Sequence, residues 1–86
     1  MHSRDDLMIG MLEAARAGEP LPILPPPSEA RAIRQGAGVK LPELAVALGG
    51  LSTSTVLRFE RGQSTPSGRT DLKWRRVLRF LADLAA

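Results

Sequence analysis

The stretch LGGLSTSTVLRFERG, residues 48–62, constrains the fold more than any other part of this 86-residue chain. Just upstream, PELAVALG carries Leu44, Ala45 and Leu48 at helical spacing, and Pro42 is tolerated in its first turn, where an amide would have no intrahelical partner. The small Ala45 lets another helix approach closely. Gly49 and Gly50 allow the positive backbone angles of a tight reversal, and Ser52 is placed to cap a helix over residues 53–61. On that helix Val56 and Phe59 fall three apart and face inward with Leu57 beside them. Thr53, Ser54, Thr55, Arg58 and Arg61 face outward or towards the first turn. The pattern predicts two short helices joined by a glycine-containing turn. A helix meant only to fill a core would begin with bulky apolar residues; this one begins with small hydroxyl side chains, as if to show its first turn to something.

The remaining segments also read as helical. Residues 3–17 place Leu7, Met8, Met11, Leu12 and Ala15 at helical spacing, with Ser3 as the cap, Asp6 three residues on and Gly18 as the stop. EPLPILPPP, residues 19–27, has five prolines in nine positions, which removes backbone donors and favours a stiff polyproline connector. Ser28 is placed to cap the next helix, in which Ala30, Ile33 and Ala37 form a buried stripe and Gly38 marks the end. In the final segment, TDLKWRRVLRFLADLAA, Thr70 is the expected cap. Leu72, Trp74, Val77, Leu78, Leu81 and Leu84 share one broad face, and Phe80 lies nearby. No segment alternates as a strand would. The expected fold is all-α: a compact helical bundle of about five helices that contains this two-helix motif, with an additional N-terminal helix joined to it by a proline-rich linker. It is divided into an N-terminal amphipathic helix (1–18), a proline-rich linker (19–27) and a helical domain (28–86).

Composition narrows the chemistry. A chain of this length makes one small domain without room for an elaborate catalytic cleft. It has no cysteine and a single histidine, His2, which reads as a terminal residue and supplies no metal site. Neither a cofactor nor a metal is expected. Glu43, Glu60, Asp71 and Asp83 show no paired spacing, and no phosphate-cradling glycine loop is present, so an enzyme is not expected. No apolar run is long enough to span a bilayer, and MHSRDDLMIG lacks the features of a signal peptide. A cytoplasmic protein is expected. Residues 1–27 carry two basic against four acidic side chains, a net −2, whereas residues 28–86 carry ten against five, a net +5. A polyanion is the natural partner of that basic part.

Taken in order, Arg34, AGV at 37–39, ELA at 43–45, LGGLS at 48–52, TSTVLRFERG at 53–62 and Pro66 resemble the helix-turn-helix DNA-binding domains of the phage Cro and repressor type, also called XRE-like. The resemblance covers about residues 28–84. The proline-led opening is similar to that of small regulators of actinobacteria and their phages, and ten arginines against two lysines fit a GC-rich genome.

The resemblance implies that the second helix of the motif crosses the DNA backbone while the third enters the major groove, its N-terminal residues at the base edges. Thr53, Ser54 and Arg58 are then the base readers: short hydroxyls donate or accept, and an arginine binds guanine through two hydrogen bonds. Lys40, Thr55, Arg61 and Arg69 are the candidate backbone contacts, which set position and salt dependence rather than sequence. The family's matching glutamate pairs with an arginine of the first helix, which implies an internal ion pair of Glu60 with Arg34. Two features depart from the family. Lys40 and Leu41 stand where a polar cap and a glutamine are common, and the turn at Gly49–Leu51 is one residue longer.

These features predict a sequence-specific double-stranded DNA-binding transcriptional regulator, a repressor of phage immunity or Cro-like type, acting on an inverted repeat. A different class remains open: an antitoxin-like or adaptor module whose residues 1–27 bind a protein partner. The final helix either pairs with a second copy to make a homodimer or uses Trp74 and Leu81 to close its own core.

Overall fold

The computed structural model describes residues 3–17 and 22–85. His2, Gly18 and residues 19–21 of the proline-rich stretch, to which the sequence assigns a terminus, a helix stop and part of a linker, lie outside the described residues. Five helices run in order: α1 Arg4–Arg16, α2 Pro27–Gly36, α3 Leu41–Ala47, α4 Thr53–Glu60 and α5 Gly68–Ala85. No strand occurs among the described residues. The all-helical bundle is the fold class read from periodicity, but the helix count is corrected: the N-terminal helix is one of the five rather than an addition to them, so four helices follow the proline-rich stretch.

Most helix starts follow local chemistry. Ser3 Oγ accepts from the Asp6 amide at 3.1 Å and opens α1. Ser52 Oγ accepts from the Thr55 amide at 3.2 Å and opens α4. At α3 the cap is partly reversed, because the Glu43 carboxylate reaches back and accepts from the Lys40 amide at 2.9 Å. Two expected caps are corrected. Ser28 does not cap α2: Pro26 is the N-cap and Pro27 the first helical residue, a place where the missing amide is harmless, so Ser28 lies exposed inside the first turn. Thr70 does not cap α5 either, since that helix already begins at Gly68 and the Asp71 amide donates to the Ser67 carbonyl at 3.2 Å.

α5 is the spine of the bundle and packs against both α1 and α2; α3 pairs with α4, α1 also touches α3, and α2 also touches α4. Trp74, Val77, Leu78 and Leu81 are 0–2 % exposed. They fall within about 100° of arc on an ideal helix. Leu72 is corrected out of this face: it lies about 160° from Trp74 on the same wheel and is 36 % exposed. Phe59 of α4 meets the Trp74 ring edge-on at a centroid distance of 5.3 Å, which locks the back of α4 to the spine.

α1 is built into the same core. Leu7, Met11 and Ala15 form a row at spacing four, and all three are buried. Gly10 makes the approach to α5 possible, because a Cβ there would stand 2.3 Å from Cζ of Phe80. The radius of gyration, 11.5 Å, is that of a compact chain of this length, for which about 12 Å is expected. The described part of the proline-rich stretch is not a free spacer either. Leu24 packs against the core, and Pro27 Cγ would lie 3.5 Å from a Cβ at Gly62, just beyond α4. Pro26, at φ −58° and ψ 152°, has the polyproline conformation expected of the segment.

Candidate nucleic-acid interface

The buried side of α4 is made by Val56, Phe59 and Glu60. Its other side is polar and open, with Thr53, Ser54, Arg58 and Arg61 exposed. At about 100° per residue these four, together with half-buried Leu57, fill a continuous arc of about 140°. The three proposed base readers and Arg61 therefore share one face. Thr55 differs from its hydroxyl neighbours. It is half-buried, and its Oγ1 lies 2.8 Å from Ser52 Oγ, so its hydroxyl completes the helix cap. Ser54 is exposed and takes no part in that cap.

The turn that aims α4 depends on two left-handed residues, Gly49 at φ 100° and Gly50 at φ 85°. The amides of Gly50 and Leu51 both donate to the Ala45 carbonyl, at 3.0 and 3.1 Å, so the chain closes in a tight loop around the end of α3. Leu51 then turns back onto the core.

Arg34 and Glu60 are brought together at the edge of this face. Arg34 donates from Nε to Glu60 Oε2 at 2.6 Å and from Nη2 to Oε1 at 3.1 Å, and its Nη1 donates to the Val39 carbonyl at 2.9 Å. One side chain of α2 thus holds both the last turn of α4 and the loop that leads into α3. The planar guanidinium matches the carboxylate in a two-point contact, which specifies geometry as well as attraction.

The electrostatic consequence concerns the segment from Ala37 to Thr70, whose two acidic residues are Glu43 and Glu60. Both are engaged inside the molecule. Glu60 is held by Arg34, and Glu43 accepts from the Lys40 amide while its Oε1 lies 3.1 Å from Arg4 Nη1. Lys40, Arg58, Arg61 and Arg69 are exposed and have no ion-pair partner among the described residues. Arg58 and Arg61 are thus unpaired cations on a helix face of short polar side chains. Lys40 stands at the start of α3 and Arg69 in the first turn of α5, so neither shares the arc of α4.

Arg4 is a structural residue that no local pattern announces. It donates to the Gly38 carbonyl at 2.5 Å as well as meeting Glu43, so α1 holds the turn between α2 and α3. Its partners lie 34 and 39 positions along the chain. Leu57 is also misplaced by the sequence, since its half-buried position within the polar arc departs from the inward place expected beside Val56 and Phe59. A wheel drawn from the helix bounds would have revealed it.

No protein-family model, curated protein or solved structure matches the chain.

Proposed function

We propose that this chain is a sequence-specific double-stranded DNA-binding transcriptional regulator, a repressor that occupies a promoter and reads the major groove with α4. The observation that carries the reading is the open arc of Thr53, Ser54, Arg58 and Arg61 on a helix whose neighbouring carboxylates are engaged internally. An α-helix fits the groove; the short hydroxyls let its backbone come close, and an arginine one turn along supplies the bidentate donor that guanine accepts. The order of motifs over residues 28–84, which resembles Cro and repressor-type domains, points the same way. Arg61, Lys40 and Arg69 are the phosphate contacts of this reading.

An inverted repeat would be read by two copies with half-sites about one DNA turn apart. Trp74, Val77, Leu78 and Leu81 of α5 are 0–2 % exposed within a single chain, so of the large apolar residues of that helix Leu72, Phe80 and Leu84 are the ones left with surface for a second copy. For the adaptor alternative, Leu7, Met11 and Ala15 of α1 are buried against the chain itself, whereas Ile9 on the outer face of α1 and Ile23 of the proline-rich stretch are exposed.

The test is selection of bound duplexes from a random DNA library at near-physiological salt, with Arg58→Ala in parallel. Enrichment of an inverted repeat that loses a guanine preference in the variant is the expected outcome. No enriched sequence with either protein would sink the reading.

A further inference from the structure

We propose that Leu57 reads the 5-methyl group of a thymine in the DNA that α4 contacts; this inference rests on the DNA-binding reading above and names an additional specificity-determining residue. On the α4 wheel Leu57 lies about 40° from Thr53 and about 40° from Arg61, well inside the polar arc. Its neighbours at the arc are exposed, whereas Leu57 itself is half-buried. It belongs neither to the buried core nor to the partly buried apolar side chains packed against that core, which include Leu51 of the preceding turn. Val56 and Phe59 already fill the inward side of α4, at 0 % and 6 % exposure. A branched apolar side chain therefore stands among hydroxyls and guanidinium groups with its outer surface open to solvent.

In the major groove the matching chemistry is specific. The edges of all four base pairs present donors and acceptors, but only thymine adds an apolar group, the methyl on C5. Thr53 and Ser54 are too short to keep the helix backbone away from the groove floor, so an isobutyl group one turn further along can reach it. Burial of one methyl against Leu57 corresponds to about a fourfold gain in binding. Arg58 follows Leu57 directly in the chain, so the thymine belongs to the same half-site as the guanine that Arg58 selects.

The experiment takes the duplex enriched by the unaltered protein and replaces each thymine in turn with deoxyuridine, which removes the methyl and keeps every hydrogen-bonding group. Unaltered protein and Leu57→Ala are titrated against each duplex, and the melting temperature of the variant is recorded. The expected result is one position per half-site at which uracil weakens the unaltered protein about fourfold, while Leu57→Ala binds the two duplexes equally and retains the guanine preference. Indifference of the unaltered protein to uracil at every position overturns the inference and needs no variant to do so. Undiminished sensitivity in Leu57→Ala overturns it as well. Both of those results leave the DNA-binding reading standing, whereas failure to enrich any duplex removes that reading and this inference together.

Discussion

Arg34 and Glu60 meet in a two-pronged ion pair whose side chains are 11 % and 1 % exposed, and the same arginine also satisfies the Val39 carbonyl. On the α4 wheel Glu60 lies about 20° from Thr53, so the pair stands at the edge of the exposed arc. Its role is to set where that helix sits relative to α2 and the entry to α3.

Loss of either partner strands a buried charge, which costs about 3–5 kcal/mol. Glu60→Ala is therefore expected to lower the melting temperature by more than about 10 °C in a domain of this size. Arg34→Ala should cost more, because it leaves a carboxylate that is 1 % exposed together with an unpaired Val39 carbonyl, whereas in Glu60→Ala the arginine keeps its carbonyl bond. Thermal denaturation of the two variants checks both the size and the order. An unchanged melting temperature for Glu60→Ala would show that the pair holds nothing.

The approach of α1 to α5 over Gly10 predicts a reversal of sign. Gly10→Ala in the native chain drives a methyl into Phe80, and overpacking of this kind costs about 1–3 kcal/mol. With Phe80→Ala already present the obstacle is gone, and the higher helix propensity of alanine should stabilise by up to about 1 kcal/mol. A denaturation series over the four proteins measures the coupling. The same sign in both backgrounds would mean that α1 does not lie on α5 as described.

The turn glycines separate two effects of the same substitution. Gly50 has φ 85° with nothing near its missing side chain, so Gly50→Ala meets backbone strain alone. That strain is of the order of 1–3 kcal/mol. Gly36, the last residue of α2, has no positive φ and no neighbour within 4 Å of a built Cβ. Gly36→Ala should be stabilising by a few tenths to about 1 kcal/mol. Urea denaturation midpoints moving in opposite directions are the expected result.

Arg58 and Arg61 share one arc of α4 but are expected to differ in the kind of loss. On the proposed DNA-binding reading Arg61 contacts a phosphate, so in Arg61→Ala the slope of log affinity against log salt should fall by about one while the selected sequence stays the same. Arg58→Ala should relax the preference at one base pair and weaken the selected duplex by about 1–3 kcal/mol. Binding titrations at several salt concentrations, with selected and base-changed duplexes, distinguish the two.

The features legible in the sequence are local. The apolar spacing in LMIGMLEAA and WRRVLRFLADL, the hydroxyls of Ser3 and Ser52, and the glycine pair before Leu51 act within a turn or two of themselves, so helices and their starts could be read directly. Ser28 and Thr70 show the limit of that reading: each is chemically able to cap, but Pro27 and Gly68 start their helices earlier. The outward residues of α4 are legible because helical periodicity separates them from Val56 and Phe59; Leu57 is not, because an apolar side chain reads as buried even where its place on the wheel faces outward. Only the tertiary structure decided that α1 is part of the core, that Arg4 ties it to Gly38 and Glu43, and that the apolar face of α5 is covered within one chain. Those contacts join residues tens of positions apart, and their energies depend on which helix faces meet across the bundle, a relation that no local window contains.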